Sequence, residues 1–147
     1  MGWRMFAAEL LERYAAGERD FAGVDLHGVD LSKAVLRGIN LDRADLSEVN
    51  FSGADLSGGY ERGNHPGHTK IRDAVLRNAI FRNANVSYVN FYRSDLSYAD
   101  FSRAYGEGVF FENACLFCAQ LNSAEFRFNS IDGANVEGTV WEDAEWL

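Results

Sequence analysis

The chain has 147 residues, an ordinary hydrophobic content of 47% and a formal net charge of −8, which suits one domain with a real core and disfavours nonspecific binding to nucleic acid or anionic membrane. No stretch approaches the roughly 20 apolar residues that span a bilayer, and two cysteines are too few for a disulfide scaffold. The N-terminus meets Glu9 and Glu12 before any uninterrupted apolar h-region or cleavage site, so the expected location is cytoplasmic, with no membrane attachment.

Residues 2–16 come first. Trp3, Phe6, Leu10, Leu11 and Tyr14 recur at helical spacing, and Gly17 supplies a C-terminal stop. The pattern predicts an amphipathic helix, within a capping segment 1–18, whose apolar stripe covers the first turn of whatever follows.

From Phe21 onward the period is five. Every fifth residue is large and apolar: Phe21, Leu26, Leu31, Leu36, Leu41, Leu46, Phe51 and Leu56, then Ile71 to Phe101, then Phe111 to Trp146. The column two residues earlier is small or β-branched, as at Ala44, Ala54, Ala74, Ala84 and Ala114, and Asp or Asn often lies between the two columns. A helix repeats at 3.6 and a strand at 2.0, so this chain must turn once per unit. Each unit sends one large and one small side chain inward and leaves three positions outside. The Asp and Asn side chains sit where they can satisfy local backbone groups, which makes them structural rather than catalytic.

Units such as Ala44-Asp45-Leu46-Ser47 and Ala54-Asp55-Leu56-Ser57-Gly58 resemble the pentapeptide-repeat family, whose pattern is A(D/N)LXX, over about residues 20–147. The helix followed by residues 14–21 resembles cyanobacterial members. The resemblance implies an all-β solenoid: a right-handed quadrilateral β-helix with four units, hence 20 residues, per coil. About six coils at the ordinary strand spacing of about 4.8 Å give a rod near 30 Å long. The division is then a capping helix at 1–18 and a β-helix at 19–147, interrupted at 58–70.

In that interruption Glu61 and Pro66 fall on the two phase positions and cannot serve as core residues, yet the phase returns at Ile71. Two units are missing, or a ten-residue loop is inserted. Glycine, asparagine and proline mark irregular backbone there, and Tyr60, Arg62, His65 and His68 make the segment a candidate recognition loop. Further on, Gly106 leaves a gap in the large column. Its neighbours twenty residues either way are Val86 and Phe126, so Phe126 leans into the gap or Tyr105 turns inward through a bulge. Cys115 and Cys118 have C-x-x-C spacing, but Leu116 holds a core slot, so the thiols project outward. Pairing them with His65 and His68 in a zinc site would require ligands more than one coil apart, and no metal or cofactor is assigned.

Outward aromatics are the other candidate surface. Tyr88 and Phe128 hold the same unit position two coils apart, with Tyr105 in the intervening unit of that face. Tyr98 and Phe117 fall on the next-but-one face, and Tyr92 and Phe110 lie between. An exposed apolar cluster marks partner sites. At the far end Trp141, Trp146 and Leu147 plug the last coil or stack on a second copy as a homodimer.

No nucleophile elbow, phosphate-binding glycine motif or zinc-protease motif is present. The reading is a non-catalytic interaction scaffold with an unidentified protein partner and no direct nucleic-acid binding. The alternative, implied by resemblance to the quinolone-resistance branch of the family, is an acidic DNA mimic that engages gyrase, a type II topoisomerase. Against it, residues 71–103 carry five arginines and three aspartates, whereas a mimic needs a continuous negative stripe, duplex DNA having about one charge per 1.7 Å.

Overall fold

A computed structural model of the chain describes residues 2–59 and 68–147. The repeating unit is a turn, well seen at Leu46. The Ser47 N–H donates to Asp45 Oδ1 at 3.1 Å. The Val49 N–H then donates to the Leu46 carbonyl at 3.1 Å, and Glu48 between them has φ +58°. The carboxylate or amide contact recurs at Asp30, Asn50, Asn90 and Asp100, which accounts for the Asp and Asn column by local hydrogen bonding. The positive φ also recurs, at Lys33, Arg43, Asn78, Arg93 and Ser123 among others. Left-handed backbone costs a non-glycine residue about 1 kcal/mol. The strain is offset because the same N–H pairs onward, as from Glu48 to the Arg77 carbonyl at 2.9 Å.

Units four apart bridge in parallel. Asp25 pairs with Asp45, Val75 with Asp95, Asp95 with Cys115, and Cys115 with Asn135. Four such columns build six rungs, whose first large residues are Phe21, Leu41, Ile71, Phe91, Phe111 and Ile131. The result is a solenoid-like β-helix. Its longer strands are β1 (Thr69–Lys70) paired with β2 (Val89–Asn90), and β3 (Tyr105–Glu107), β4 (Glu125–Arg127) and β5 (Glu145–Trp146) paired in that order.

Across the interruption the partners lie thirty residues apart instead of twenty: Asn40 with Lys70, Asp45 with Val75, Asp55 with Asn85. Ile71 therefore takes the slot directly after Leu56. Ten residues are inserted between consecutive units, and none is missing from the rung. The seam is tight. The Gly38 N–H donates to the buried Thr69 Oγ1 at 2.9 Å, and a Cβ on Gly58 would lie 2.6 Å from the Thr69 nitrogen, so only glycine fits there.

Inside, the large column stacks by rung. Phe51, Phe81 and Phe101 follow one another at 5.3 and 4.5 Å between ring centroids, and Phe91 lies 5.4 Å from Phe111. Gly106 leaves no hole. A Cβ there would come within 2.7 Å of the Phe126 ring and of Val109 Cγ2. Phe126 fills the slot while Tyr105 stays outside, 38% exposed.

The N-terminal cap differs from the predicted one. The helix α1 is Ala7–Ala15 only, closed by a Schellman arrangement in which the Gly17 N–H reaches the Tyr14 carbonyl and the Glu18 N–H the Arg13 carbonyl. Residues 3–5 are instead extended along rung 1, with the Asp25 N–H bonded to the Trp3 carbonyl and the Met5 N–H to the Asp25 carbonyl. An extended chain alternates its side chains, so Phe6 turns away from the side on which Met5 is buried, while Trp3, two residues before Met5, is left 64% exposed. The covering residues are Met5 and Leu10, with Ala7 and Tyr14 at the margin, and Leu11 faces solvent. Arg13 lies over Trp3 and Arg4 over Phe6.

Among the described residues nothing covers rung 6 in this way. Ile131, Trp141 and Trp146 are half-buried, and Val136 and Leu147 are exposed. Trp146 packs 5.3 Å from Phe126 and edge-on to Trp141 at 5.2 Å.

Candidate functional site

The insertion and the outward aromatics meet at one corner. Tyr60, Arg62 and His65 lie outside the described residues. Gly59 and His68, which flank the undescribed stretch, lie beside Gly58, the head of a vertical series continued by Tyr88, Gly108 and Phe128, the third position of successive units in that column. The Tyr88 ring lies on Gly108, where a Cβ would be 2.9 Å from its Cε1. His68 Nδ1 is 3.3 Å from the Tyr88 carbonyl, and its ring meets Tyr88 at 6.3 Å and Phe110 at 5.7 Å, both edge-on.

One anion sits among these rings. The Tyr88 hydroxyl donates to Glu107 Oε1 at 2.9 Å, and the Tyr105 hydroxyl to Oε2 at 3.4 Å. Glu107 was not singled out from the sequence. Twenty-residue arithmetic finds it, since Ser87 and Arg127 are its rung neighbours, and the Glu107 N–H donates to Ser87 Oγ at 3.1 Å. Two expectations change as a result. Tyr88 is half-buried rather than solvent-facing, and Phe110 belongs to the corner through His68. Phe128 is presented in full, 80% exposed with φ +56°.

The second aromatic group is separate. Tyr98 meets Phe117 edge-on at 5.6 Å with Arg77 above it. Cys115 and Cys118 are free thiols, half-buried, and Cys115 Sγ lies 3.2 Å from Ser97 Oγ. Their neighbours differ from those of His68. Among the described residues no group of three His, Cys, Asp or Glu could hold a metal ion, and no helix is long and apolar enough to cross a membrane.

Charge is arranged by rung. Arg72 pairs with Asp42, Arg77 with Asp95, Arg82 with Asp100 and Arg93 with Asp73, so the basic middle is largely self-neutralised. Asp55, Asp95 and Asp100 are held below the ordinary carboxylate range. Burial pushes each upward, but it is outweighed by the neighbouring Ser57, Ser97 or Ser102 hydroxyl and N–H and by the paired arginine. Among the described residues, none of the acids from Glu107 to Glu145 makes an ion pair.

Solved structures to which the chain is similar include a pentapeptide repeat protein from Nostoc Pcc 7120, alr5209. It is 27% identical, covering 79% of this chain and 84% of that one, with a TM-score of 0.51. A trypsin-treated form of QnrB1, a plasmid-mediated fluoroquinolone resistance protein, is 26% identical over 86% of this chain and 67% of its own, with a TM-score of 0.47. HetL from Nostoc sp. strain PCC 7120, a pentapeptide repeat protein involved in heterocyst differentiation regulation, is 24% identical over 96% and 94%, with a TM-score of 0.32. No curated protein matches the chain. The family model for pentapeptide repeats matches in eight copies over residues 20–58, 67–97 and 88–117. With most of its length matched and most of its units making the same turn, the chain belongs to the pentapeptide-repeat family.

Proposed function

We propose that the chain is a non-catalytic interaction scaffold that engages a protein partner through the corner at the foot of the insertion. The observation that carries this reading is the exposed Phe128 ring below a fixed aromatic group, His68, Tyr88, Tyr105 and Phe110, built around Glu107. A rigid rod holds such a surface without ordering cost on binding. The four bridge columns support a reading of the rod as a right-handed quadrilateral β-helix, and the free thiols suit a reducing, cytoplasmic setting. The second reading is a DNA mimic acting on a type II topoisomerase. It is favoured by the unpaired acids of the last two rungs and opposed by the self-neutralised basic middle.

The test compares partners captured by the intact chain, by Phe128→Ser with Tyr105→Ser, and by a chain lacking residues 59–68. That deletion joins Gly58 to Thr69 and restores an unbroken unit, so the rod should fold with a stability within about 1 kcal/mol of the parent. A specific partner should be lost from both altered chains. Retention of every partner by both would end the corner reading. Inhibition of gyrase supercoiling at micromolar protein would move the balance to the mimic.

A further inference from the structure

On the third unit of rungs 3, 4 and 5 lies a polar cavity of about 350 Å³. Its walls are the two residues that follow Phe81, Phe101 and Leu121: Arg82 and Asn83, Ser102 and Arg103, Asn122 and Ser123. The backbone there is already committed. The Asn83 N–H donates to the Ser102 carbonyl at 3.2 Å, Arg103 to Asn122 at 2.9 Å and Ser123 to Glu142 at 2.8 Å. Any ligand would therefore be held by side chains.

Those side chains have capacity to spare. Arg82 uses only Nε, on Asp100 Oδ2, and its terminal nitrogens bond nothing among the described residues. Arg103 is exposed and makes no ion pair or side-chain hydrogen bond there. Asn122 Oδ1 is buried without a hydrogen-bond partner, and its Nδ2 reaches Gln120 Oε1 only at 3.5 Å. Nothing holds that amide firmly, so a turn about its soft terminal torsion presents it to the cavity it lines. Above, Gly53 has no side chain, and a Cβ there would meet only Lys33 Cγ, at 3.5 Å, which places a third cation on the column. Below, the column continues with Glu142 and Asp143, so the cationic stretch stops at Ser123.

Two guanidiniums beside hydroxyl and amide groups suit a phosphate, which accepts several N–H bonds at once. An unpartnered amide is costly inside a protein, and a ligand hydroxyl, which both donates and accepts, satisfies it in either orientation. The volume falls within the range of small-molecule sites, and the acids below oppose a polyanion laid along the rod. We propose that this cavity binds a small phosphorylated polyol, such as a sugar phosphate, with its phosphate between Arg82 and Arg103 and a hydroxyl on Asn122.

The probe is glucose 6-phosphate, titrated into the intact chain and followed by amide shifts, with inorganic phosphate and glucose as controls. Saturable shifts confined to residues 82–83, 102–103 and 122–123 are expected, with either control weaker by about tenfold or more. Arg103→Gln, which breaks no ion pair, should weaken glucose 6-phosphate and phosphate alike by about tenfold. Asn122→Ala should lower glucose 6-phosphate toward the level of phosphate and leave phosphate itself unchanged. Both variants should keep the parent's urea midpoint, since neither removes a strong contact. Equal binding of glucose 6-phosphate and inorganic phosphate would mean an adventitious ion only and overturn the assignment. So would undiminished binding by Arg103→Gln, shifts elsewhere on the rod, or no saturation at millimolar ligand.

Discussion

Rung 1 and rung 6, the first and last of the described rungs, treat backbone and core differently. At rung 1 an extended segment bonds along the edge and a short helix seals the core with Met5 and Leu10, both essentially fully buried. At rung 6 two tryptophans stay half-exposed, Trp146 packing on Phe126 of rung 5, and among the described residues the edge N–H groups have no backbone acceptor. Charge follows the same division. The upper rungs tie their aspartates to arginines, while the lowest leaves its acids alone. A closed end contributes stability. The half-exposed tryptophans of rung 6 contribute less than the fully buried Met5 and Leu10.

The contrast is most exposed to disproof in the two seals. Leu10→Ala should cost about 2–5 kcal/mol, as for a fully buried leucine, whereas Trp146→Ala, which loses a half-exposed ring, should cost about 1–2 kcal/mol. Urea midpoints of the two variants measure this, and a larger loss at Trp146 would reverse that ranking. Acid should act mainly on the upper rungs. The folded Asp55, Asp95 and Asp100 bind their protons at lower pH than in the unfolded chain. Their contribution is therefore complete above the unfolded carboxylate pKa of about 3.9 and is lost as pH falls through the folded values. The thermal midpoint should drop across that window, and Asp100→Asn should flatten the drop. The smallest effect is at the rim. Glu142→Lys should raise stability by about 0.5 kcal/mol or less by easing repulsion, and salt should shrink the gain.

Much of this was legible in the sequence because a period of five leaves a side chain little choice of side. Phe81, Phe101 and Ala84 are where the two columns place them, and Tyr88 and Phe128 share a column as twenty-residue spacing requires. Three features were not legible, each for its own reason. An inserted loop and two missing units both return the phase at Ile71, and only the pairing of Asn40 with Lys70 separates them. Helical spacing put Trp3 and Phe6 in the cap stripe, but rung pairing by residues 3–5 is non-local and took that segment out of the helix, leaving both exposed. Gly106 read as a choice between two fillers, and the choice fell to ring packing by Phe126. The corner was half visible: its aromatics follow from arithmetic, while Glu107 joined them only once the hydroxyl directions were known.

The seam between Gly58 and Thr69 has a consequence for how such a rod can change. Each rung recognises its neighbour by counting units, and the ten residues between Leu56's unit and Thr69 do not enter the count. The corner thus behaves as a splice port. Segments of other lengths or compositions could be exchanged there without moving any residue below Thr69 off its partner above, so a recognition element can diversify while the frame that displays it stays fixed.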